Sequence, residues 1–293
     1  MDGAVIVDKP EGWTSHDAVN KMRRLAKTKK VGHLGTLDPV ATGVLPLLLN
    51  RATRLAQFFD RSEKLYEATI RFGYSTDSYD RTGTPTSPVS NPQISLDDLN
   101  PHLGKLRGTI LQTPPPFSAK KVGGVPAYRL ARREVAVELS PVEVTVFDLE
   151  VLWVKENQVR IRARCSPGTY VRSIAHDLGQ AVGCGAHLDE LRRLASGEFT
   201  LERARSIPEL EELASEDRLT EAVIPAGQLL PEFPAEYLDD VSVAHVRNGR
   251  DFQVSPFRAG KGARYVKAVS RQGELVAVGE VKLPNLYHPI VVL

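Results

Sequence analysis

Asp38 presents a carboxylate in a short loop of restricted geometry, where it could do chemistry. Pro39, directly after it, disfavours helical backbone angles at Asp38 and keeps that residue extended. A carboxylate held in this way could act as a nucleophile or as a base. The alternative role is structural, since Asp-Pro is also a common start of a turn. Three glycines in the same segment allow tight turns or the close approach of a ligand: Gly32, Gly35 and Gly43.

The charges of the chain are segregated, although their sum is small. The 38 lysines and arginines and the 36 aspartates and glutamates give a net charge of +2. Residues 21–37 hold six positive side chains and no acidic one, residues 99–133 hold seven and none, and residues 247–271 hold seven against Asp251 alone. This segregation is typical of a protein that binds phosphate backbones. The alternative is a set of ordinary solvated surfaces.

Composition and motifs exclude several classes of protein. A hydrophobic content of 42% and a charged content of 25% are those of a globular chain. Cys165 and Cys184 show neither zinc-site spacing nor a disulfide framework, which predicts a reducing, cytoplasmic location. No membrane-spanning run, signal-peptide pattern, dinucleotide motif or phosphate-loop motif is present. We therefore expect no membrane association and no nucleotide cofactor.

Hydrophobic periodicity predicts the elements around the Asp38 loop. Residues 3–7 are predicted as a buried strand, and a helix capped by Thr14 or Ser15 follows with its basic residues outward. Residues 64–73 alternate as a strand that places Tyr66 on the apolar face. A tyrosine at such a position is more often an ordinary core residue than a substrate contact.

The middle of the chain mixes helices and irregular segments. Helical spacing is found at residues 52–59 and 96–106, whereas residues 75–92 have the composition of a loop. Residues 112–126 are rich in proline and glycine, so we expect them to be irregular and exposed. A basic helix is predicted at residues 127–133.

A hairpin and a helix follow. Residues 142–154 and 158–165 are predicted to pair, and Ser166-Pro167-Gly168-Thr169 then turns into a helix over residues 170–182. Tyr170 and Arg172 lie in the first turn of that helix. Free backbone N–H groups and the helix dipole make such a start suitable for an anion.

These elements predict an α+β chain, and 293 residues suggest two domains. From about residue 231 the pattern changes to short strands broken by turns, which predicts a small all-β barrel or sandwich docked on the larger domain. The strands expected there are residues 241–246, 252–254, 264–270, 274–279 and 289–292.

The chain resembles the bacterial tRNA pseudouridine-55 synthases of the TruB family. Thr36 departs from the family's usual alanine, although threonine also occurs in the guide-dependent relatives. The last sixty residues are more loosely similar to a PUA domain, an RNA-binding β module. The resemblance rests on motifs in the family's order: Asp8-Lys9-Pro10, Gly32-His33-Leu34-Gly35-Thr36-Leu37-Asp38-Pro39, Lys64-Leu65-Tyr66, Cys165-Ser166-Pro167-Gly168-Thr169-Tyr170-Val171-Arg172, Gly183-Cys184-Gly185-Ala186-His187 and Leu191-Arg192-Arg193.

The resemblance implies a domain organisation. A mixed, largely antiparallel central sheet flanked by helices would form a catalytic domain over residues 1–230, and a small C-terminal β-barrel of PUA-like type would bind RNA over residues 231–293. An insertion at residues 113–133 would grip the T arm of tRNA. Its basic residues are Lys120, Lys121, Arg129, Arg132 and Arg133.

The resemblance also implies roles for single residues. Asp38 matches the catalytic aspartate, Tyr66 the tyrosine that stacks on the target uracil, and Arg172 the arginine that pairs with the aspartate. Without the resemblance, Arg172 would be interpreted as a structural ion-pair partner. The other matches are substrate-site residues: Tyr170 and Leu191 in the pocket, Lys9 near the catalytic loop, and His33, which enters the T loop in place of the extruded bases.

The implied reaction converts uridine to pseudouridine with no net redox change and no group from outside, so no cofactor or metal is expected. Asp38 could attack the sugar C1′ or the uracil C6, or act as the base that starts an elimination, and the residues leave all three open. Arg172 should lower the pKa of Asp38. The resemblance implies a stand-alone cytoplasmic monomer that acts on tRNA without guide RNA or an obligate protein partner.

Two other functions are compatible with the same residues. An RNA chaperone on this fold would bind without catalysis, but it would have no need of Asp38. A glycosidase or base-excising hydrolase would use Asp38 together with a second carboxylate. Asp77 and Asp80 are the candidates for that second group.

Overall fold

Strands supply most of the framework in the computed structural model, which describes residues 1–118, 120–122, 124–127, 139–255 and 263–293. The strands are β1 Gly3–Lys9, β2 Val31–His33, β3 Ala41–Leu49, β4 Lys64–Phe72, β5 Gly108–Gln112, β6 Lys121–Val122, β7 Val125–Pro126, β8 Val142–Lys155, β9 Gln158–Cys165, β10 Ala186–Ser196, β11 Phe199–Thr200, β12 Ile224–Pro225, β13 Ala235–Leu238, β14 Phe252–Gln253, β15 Tyr265–Ser270, β16 Leu275–Leu283 and β17 Leu286–Val292. The α-helices are α1 Ser15–Leu25, α2 Leu96–Leu103, α3 Val171–Val182, α4 Ile207–Ser215 and α5 Asp240–Arg247. Short 3₁₀ helices cover Asn50–Phe58, Gly104–Leu106, Leu201–Arg203, Leu219–Ala222 and Ala226–Gln228.

The central sheet has the strand order β12-β1-β3-β10-β4-β9-β8-β5, with β2 added on β3 and β11 on β10. Among these pairs β3 and β10 are parallel and the others antiparallel. The predicted α+β class with a mixed, largely antiparallel sheet is thus confirmed. The parallel pair lies at the centre and brings the start of β3, just after Asp38, beside β10.

Helix α1 anchors the Asp38 loop. Thr14 caps it in a reciprocal capping box, in which its hydroxyl accepts from the backbone N–H of Asp17 and its own N–H donates to the Asp17 carboxylate. Ala18, Val19 and Met22 are buried, so the basic residues of the helix lie outward as predicted. The Ser15 hydroxyl accepts from the N–H of Leu37 at 2.8 Å and donates to its carbonyl at 3.1 Å.

Residues 112–126 differ from the prediction of an irregular, exposed segment. Gln112 is fully buried, and its side-chain amide accepts from the N–H of Tyr170 at 2.8 Å and donates to the carbonyl of Tyr170 at 3.1 Å. Pro114 and Pro115 are buried as well. Prolines lack a backbone N–H, so burying them leaves no donor unsatisfied. Strands β6 and β7 pair in this segment, while 128–133 of the predicted basic helix lies outside the described residues.

The C-terminal part departs from an all-β pattern at one place. Its five strands form a sheet of order β13-β15-β16-β17-β14, but the strand predicted at residues 241–246 is the helix α5. Asp239 caps this helix by accepting from the N–H of Ser242 at 2.7 Å. Val243 and Val246 are buried at helical spacing, whereas Val241 is exposed. The spacing of the valines is also typical of a strand, but the Asp239 cap stabilises the helix.

One hydrophobic cluster joins the two sheets. It contains Ile6 and Leu48 of the central sheet together with Val269 and Leu293 from the C-terminal part. The C-terminal sheet therefore packs directly on the larger part. In the described part of the chain, no helix combines the length and apolar character needed to cross a membrane.

Candidate active site

The Asp38 loop is held rigidly from several sides. Besides the Ser15 bonds to Leu37, the N–H of Ala41 donates to the carbonyl of Asp38 at 3.0 Å, and the N–H of Gly12 donates to that of Pro39 at 2.8 Å. Gly43 has a φ of 99°, and a Cβ added there would lie 2.2 Å from the carbonyl oxygen of Arg193. Glycine is therefore required where β3 approaches β10.

Arg172 lies beside the Asp38 carboxylate. Its Nε is 2.9 Å from Oδ2 of Asp38, an ion pair in which the Nε–H group makes no aligned hydrogen bond. Nη1 donates to the carbonyl of Ser78 at 2.9 Å, and Nη2 donates to that of Phe117 at 3.0 Å. The Arg172 side chain is 4% exposed and the Asp38 side chain 35% exposed. Arg172 is thus a fixed, buried support, and Asp38 faces an open space.

Asp80 contacts another nitrogen of the same guanidinium. Its Oδ2 is 3.4 Å from Nη1 of Arg172, and its Oδ1 accepts from the hydroxyls of Ser78 at 2.8 Å and Thr82 at 2.5 Å. Neither Asp80 nor Asp77 lines the cavity in front of Asp38. The second carboxylate expected of a hydrolase is therefore not supplied by this loop.

The pKa of Asp38 is raised, in contrast to the predicted lowering. Burial disfavours the charged carboxylate most strongly, Arg172 opposes this effect, and the like charge of Asp80 adds to it. Arg172 does lower the pKa of this carboxyl, as predicted, but desolvation and the second carboxylate, which the prediction left out, outweigh its effect. The Asp38 carboxyl is therefore harder to ionise than an exposed aspartate, and Arg172 limits that effect.

A cavity of about 320 Å³ opens in front of Asp38. Tyr66 on β4 is nearly buried in its wall, and burial raises the pKa of its hydroxyl. His33, whose pKa burial lowers, has a buried Nδ1 without a hydrogen-bond partner. The structure brings six of the predicted site residues together in the cavity wall: His33, Asp38, Tyr66, Tyr170, Arg172 and Leu191.

Lys9 and Lys120 lie outside the cavity wall. Lys9 is fully buried, and its Nζ donates to the carbonyls of Pro10 at 2.8 Å and Trp13 at 2.6 Å. Burial lowers its pKa to about 8, while the nearby Asp38 charge opposes that shift. Lys120 is exposed and Lys121 lies in β6. Three of the predicted RNA-binding residues lie outside the described part of the chain: Arg129, Arg132 and Arg133.

At least four residues of the site were missed by sequence reasoning, and one of them, the cavity-wall residue Asp60, was not considered at all. Asp80 was considered only as a hydrolase carboxylate, and Lys64 and Arg193 of the cavity wall were noted only as parts of motifs. Strand alternation could have identified the last two, since each lies two residues from a predicted site residue, Tyr66 or Leu191. In the described ranges, no group of three or more His, Cys, Asp or Glu side chains is placed to hold a metal.

Family descriptions and named relatives match this chain. The family description "TruB family pseudouridylate synthase (N terminal domain)" matches residues 23–171, and "tRNA pseudouridylate synthase B C-terminal domain" matches residues 172–231. The chain is 63% identical to a protein named tRNA pseudouridine synthase B from Solibacter usitatus over the full length of both. It is 39% identical to a protein of the same name from Aquifex aeolicus over 96% of each.

Solved structures show the same fold. A Cbf5-Nop10-Gar1 complex contains a chain that is 29% identical with a TM-score of 0.72, covering 96% of this chain and 78% of that one. An H/ACA ribonucleoprotein bound to a substrate RNA containing 2′-deoxyuridine contains a chain that is 28% identical with a TM-score of 0.71 and the same coverage. This chain belongs to the TruB family of pseudouridine synthases, which are isomerases.

Proposed function

We propose that this chain isomerises uridine 55 in the T loop of tRNA and that Asp38 is its catalytic carboxylate. The observation that carries the proposal is the Asp38 side chain, which is held 2.9 Å from the buried Arg172 and faces a cavity walled by Tyr66. The family assignment favours an isomerase over a binding-only chaperone. The name shared by the sequence relatives supports tRNA as the substrate.

The chemistry needs the target nucleotide outside the helical stack. Extrusion of a base costs a few kcal/mol, and stacking on Tyr66 would offset part of this cost. His33 would fill the space left in the T loop, and Tyr170 and Leu191 would enclose the base. The N1–C1′ bond then breaks, the uracil turns, and a C5–C1′ bond forms while C5 loses its proton and N1 gains one. Atoms and electrons balance without a cofactor.

In these reaction steps Asp38 would act as a nucleophile at C1′ or C6, or as the base that removes a sugar proton. All three routes require the ionised carboxylate, which Arg172 stabilises against the effect of burial. Lys9 would keep the neighbouring backbone in place through its bonds to the carbonyls of Pro10 and Trp13.

We further propose that the enzyme acts alone, as a cytoplasmic monomer. The solved neighbours come from guide-RNA complexes, whereas the relatives named as tRNA enzymes match this chain over nearly their whole length. Residues 113–133 would grip the T arm, with Lys120 exposed for that contact. Residues 1–230 would be catalytic and residues 231–293 a PUA-like module that adds RNA affinity.

The test is to incubate the purified protein with an unmodified tRNA transcript, without guide RNA or added cofactor, and to map pseudouridine by position. We expect modification at uridine 55 and none in a transcript that carries cytidine there. Release of free uracil would indicate a hydrolase. Tight binding without modification would leave an RNA-binding protein and overturn the proposal.

A further inference from the structure

Two cations in the cavity wall have no part in the chemistry described above. Lys64 and Tyr66 alternate along β4, and Leu191 and Arg193 alternate along β10. These strands are hydrogen-bonded neighbours in which Tyr66 lies opposite Arg193. Alternation places all four side chains on one face of the sheet, and all four line the cavity. The two cations are thus part of the same wall as the residues proposed to hold the base.

The hydrogen-bond partners of this pair carry no formal charge, and the exposed Asp60 of the cavity wall acts on Lys64 only through its charge. Lys64 Nζ donates to the carbonyl of Ser62 at 2.7 Å, and Arg193 donates to those of Val44 at 2.7 Å and Gly35 at 3.2 Å. Carbonyl oxygens accept these bonds but bring no net negative charge. Within the described ranges neither cation forms an ion pair, although both side chains are more than nine-tenths buried. Uncompensated buried charge is costly, so an anionic ligand would be bound favourably here.

A further observation places these cations next to the Asp38 loop. A Cβ added to Gly35 would lie 3.6 Å from Nη1 of Arg193 and 3.8 Å from Cε of Lys64, so both face the backbone three residues before Asp38. Burial and the neighbouring Arg193 lower the pKa of Lys64 to about 8. An anion at this position would therefore also favour the protonated lysine.

We propose that Lys64 and Arg193 form a phosphate subsite that binds the RNA phosphodiester flanking the flipped nucleotide. This inference rests on the proposed function for the identity of the substrate and adds a contact to it. Uracil and ribose are uncharged, so the backbone phosphate is the group of the substrate that complements two cations. Its capture beside Tyr66 would fix the depth to which the nucleotide enters the cavity.

The test is a charge-removal cycle on both molecules. Equilibrium binding of a T-arm stem-loop RNA is measured with all phosphates present and with one neutral methylphosphonate linkage 5′ or 3′ of the target uridine. Wild-type protein should lose about tenfold in affinity at one of the two linkages, and Lys64→Met should lose about tenfold on the all-phosphate RNA. When Lys64→Met is combined with the neutral linkage, the loss should stay near that of either change alone, because both remove the same contact. Lys64→Met should also lower by about one the magnitude of the slope of log K against log salt concentration.

Controls separate the subsite from general effects. Lys155→Met removes an exposed lysine at the β8–β9 turn and should bind both RNAs like the wild type, while Lys64→Arg should retain most of the affinity. Fully additive losses, or wild-type binding that is insensitive to both neutral linkages, would overturn the proposal. The comparison of RNAs with and without a neutral linkage uses the wild-type protein, so misfolding of Lys64→Met cannot decide the result. Absence of pseudouridine in the all-phosphate RNA would count against the proposed function alone, because binding still tests the subsite.

Discussion

Arg172 lies between two carboxylates of unequal exposure. Asp38 faces the cavity with 35% of its side chain exposed, whereas the Asp80 side chain is 7% exposed behind the guanidinium. Because Asp80 also accepts bonds from Ser78 and Thr82, it can restrain the guanidinium without contacting the substrate. We assign Asp80 as a positioning residue that acts through Arg172.

Asp80→Asn should lower kcat about tenfold and leave KM within about twofold, since it removes a charge that orients Arg172 and no group that contacts RNA. The measurement is steady-state pseudouridine formation on a tRNA transcript. Asp77→Asn is the matched control, because Asp77 lies in the same loop and accepts from the N–H of Thr84 without contacting Arg172. A rise in KM alone would show that Asp80 acts in binding.

At the scale of elements, local patterns predicted most of the fold. The strand containing Tyr66, the hairpin of β8 and β9, and helix α3 were confirmed because their alternation and turns are local properties. Burial of Gln112 could not be predicted, since its partner Tyr170 is distant in sequence. Asp38 and Arg172 were matched to motifs, but the contact of Asp80 with Arg172 requires the three-dimensional structure.

Gly43→Ala tests the close approach of β3 and β10. The new methyl group would meet the backbone of Arg193 at 2.2 Å, and the φ of 99° is itself unfavourable for alanine. We expect a loss of about 3 kcal/mol or more in the free energy of unfolding. Gly12→Ala has a similar φ of 81° but open space around it, so it should cost only about 1–2 kcal/mol. If urea denaturation gave equal losses in the free energy of unfolding for the two variants, the backbone around residue 43 would have moved to relieve the clash.

At the scale of the whole molecule, the two sheets meet near an unusual carboxyl group. Glu198, between β10 and β11, accepts from the N–H of Leu230 at 3.2 Å. Lys267 of the C-terminal sheet donates to the carbonyl of Leu229 at 2.8 Å. Burial raises the pKa of Glu198 to about 7, with the Leu230 bond opposing the shift. The folded state therefore favours the protonated carboxyl.

Stability should fall with rising pH because of this group. Because the pKa of Glu198 is about 7 in the folded state and 4.5 ordinarily, the protonated carboxyl contributes to the free energy of unfolding. This contribution is complete below pH 4.5 and is lost as the pH rises through about 7. Glu198→Gln mimics the protonated form, so it should raise the melting temperature at pH 8 and change it little at pH 4. Glu212→Gln, an exposed change on α4, should have little effect at either pH. A lower melting temperature of Glu198→Gln at pH 8 would contradict this assignment.

The central claim is that Asp38 carries out the chemistry. The most direct measurement is single-turnover pseudouridine formation at uridine 55 by Asp38→Asn, with the affinity for the same tRNA measured in parallel. We expect a rate at least about a thousandfold lower and an affinity close to that of the wild type. Asp97→Asn, an exposed change in α2, should match the wild type in both. If Asp38→Asn kept more than about a tenth of the wild-type rate, the claim would be wrong.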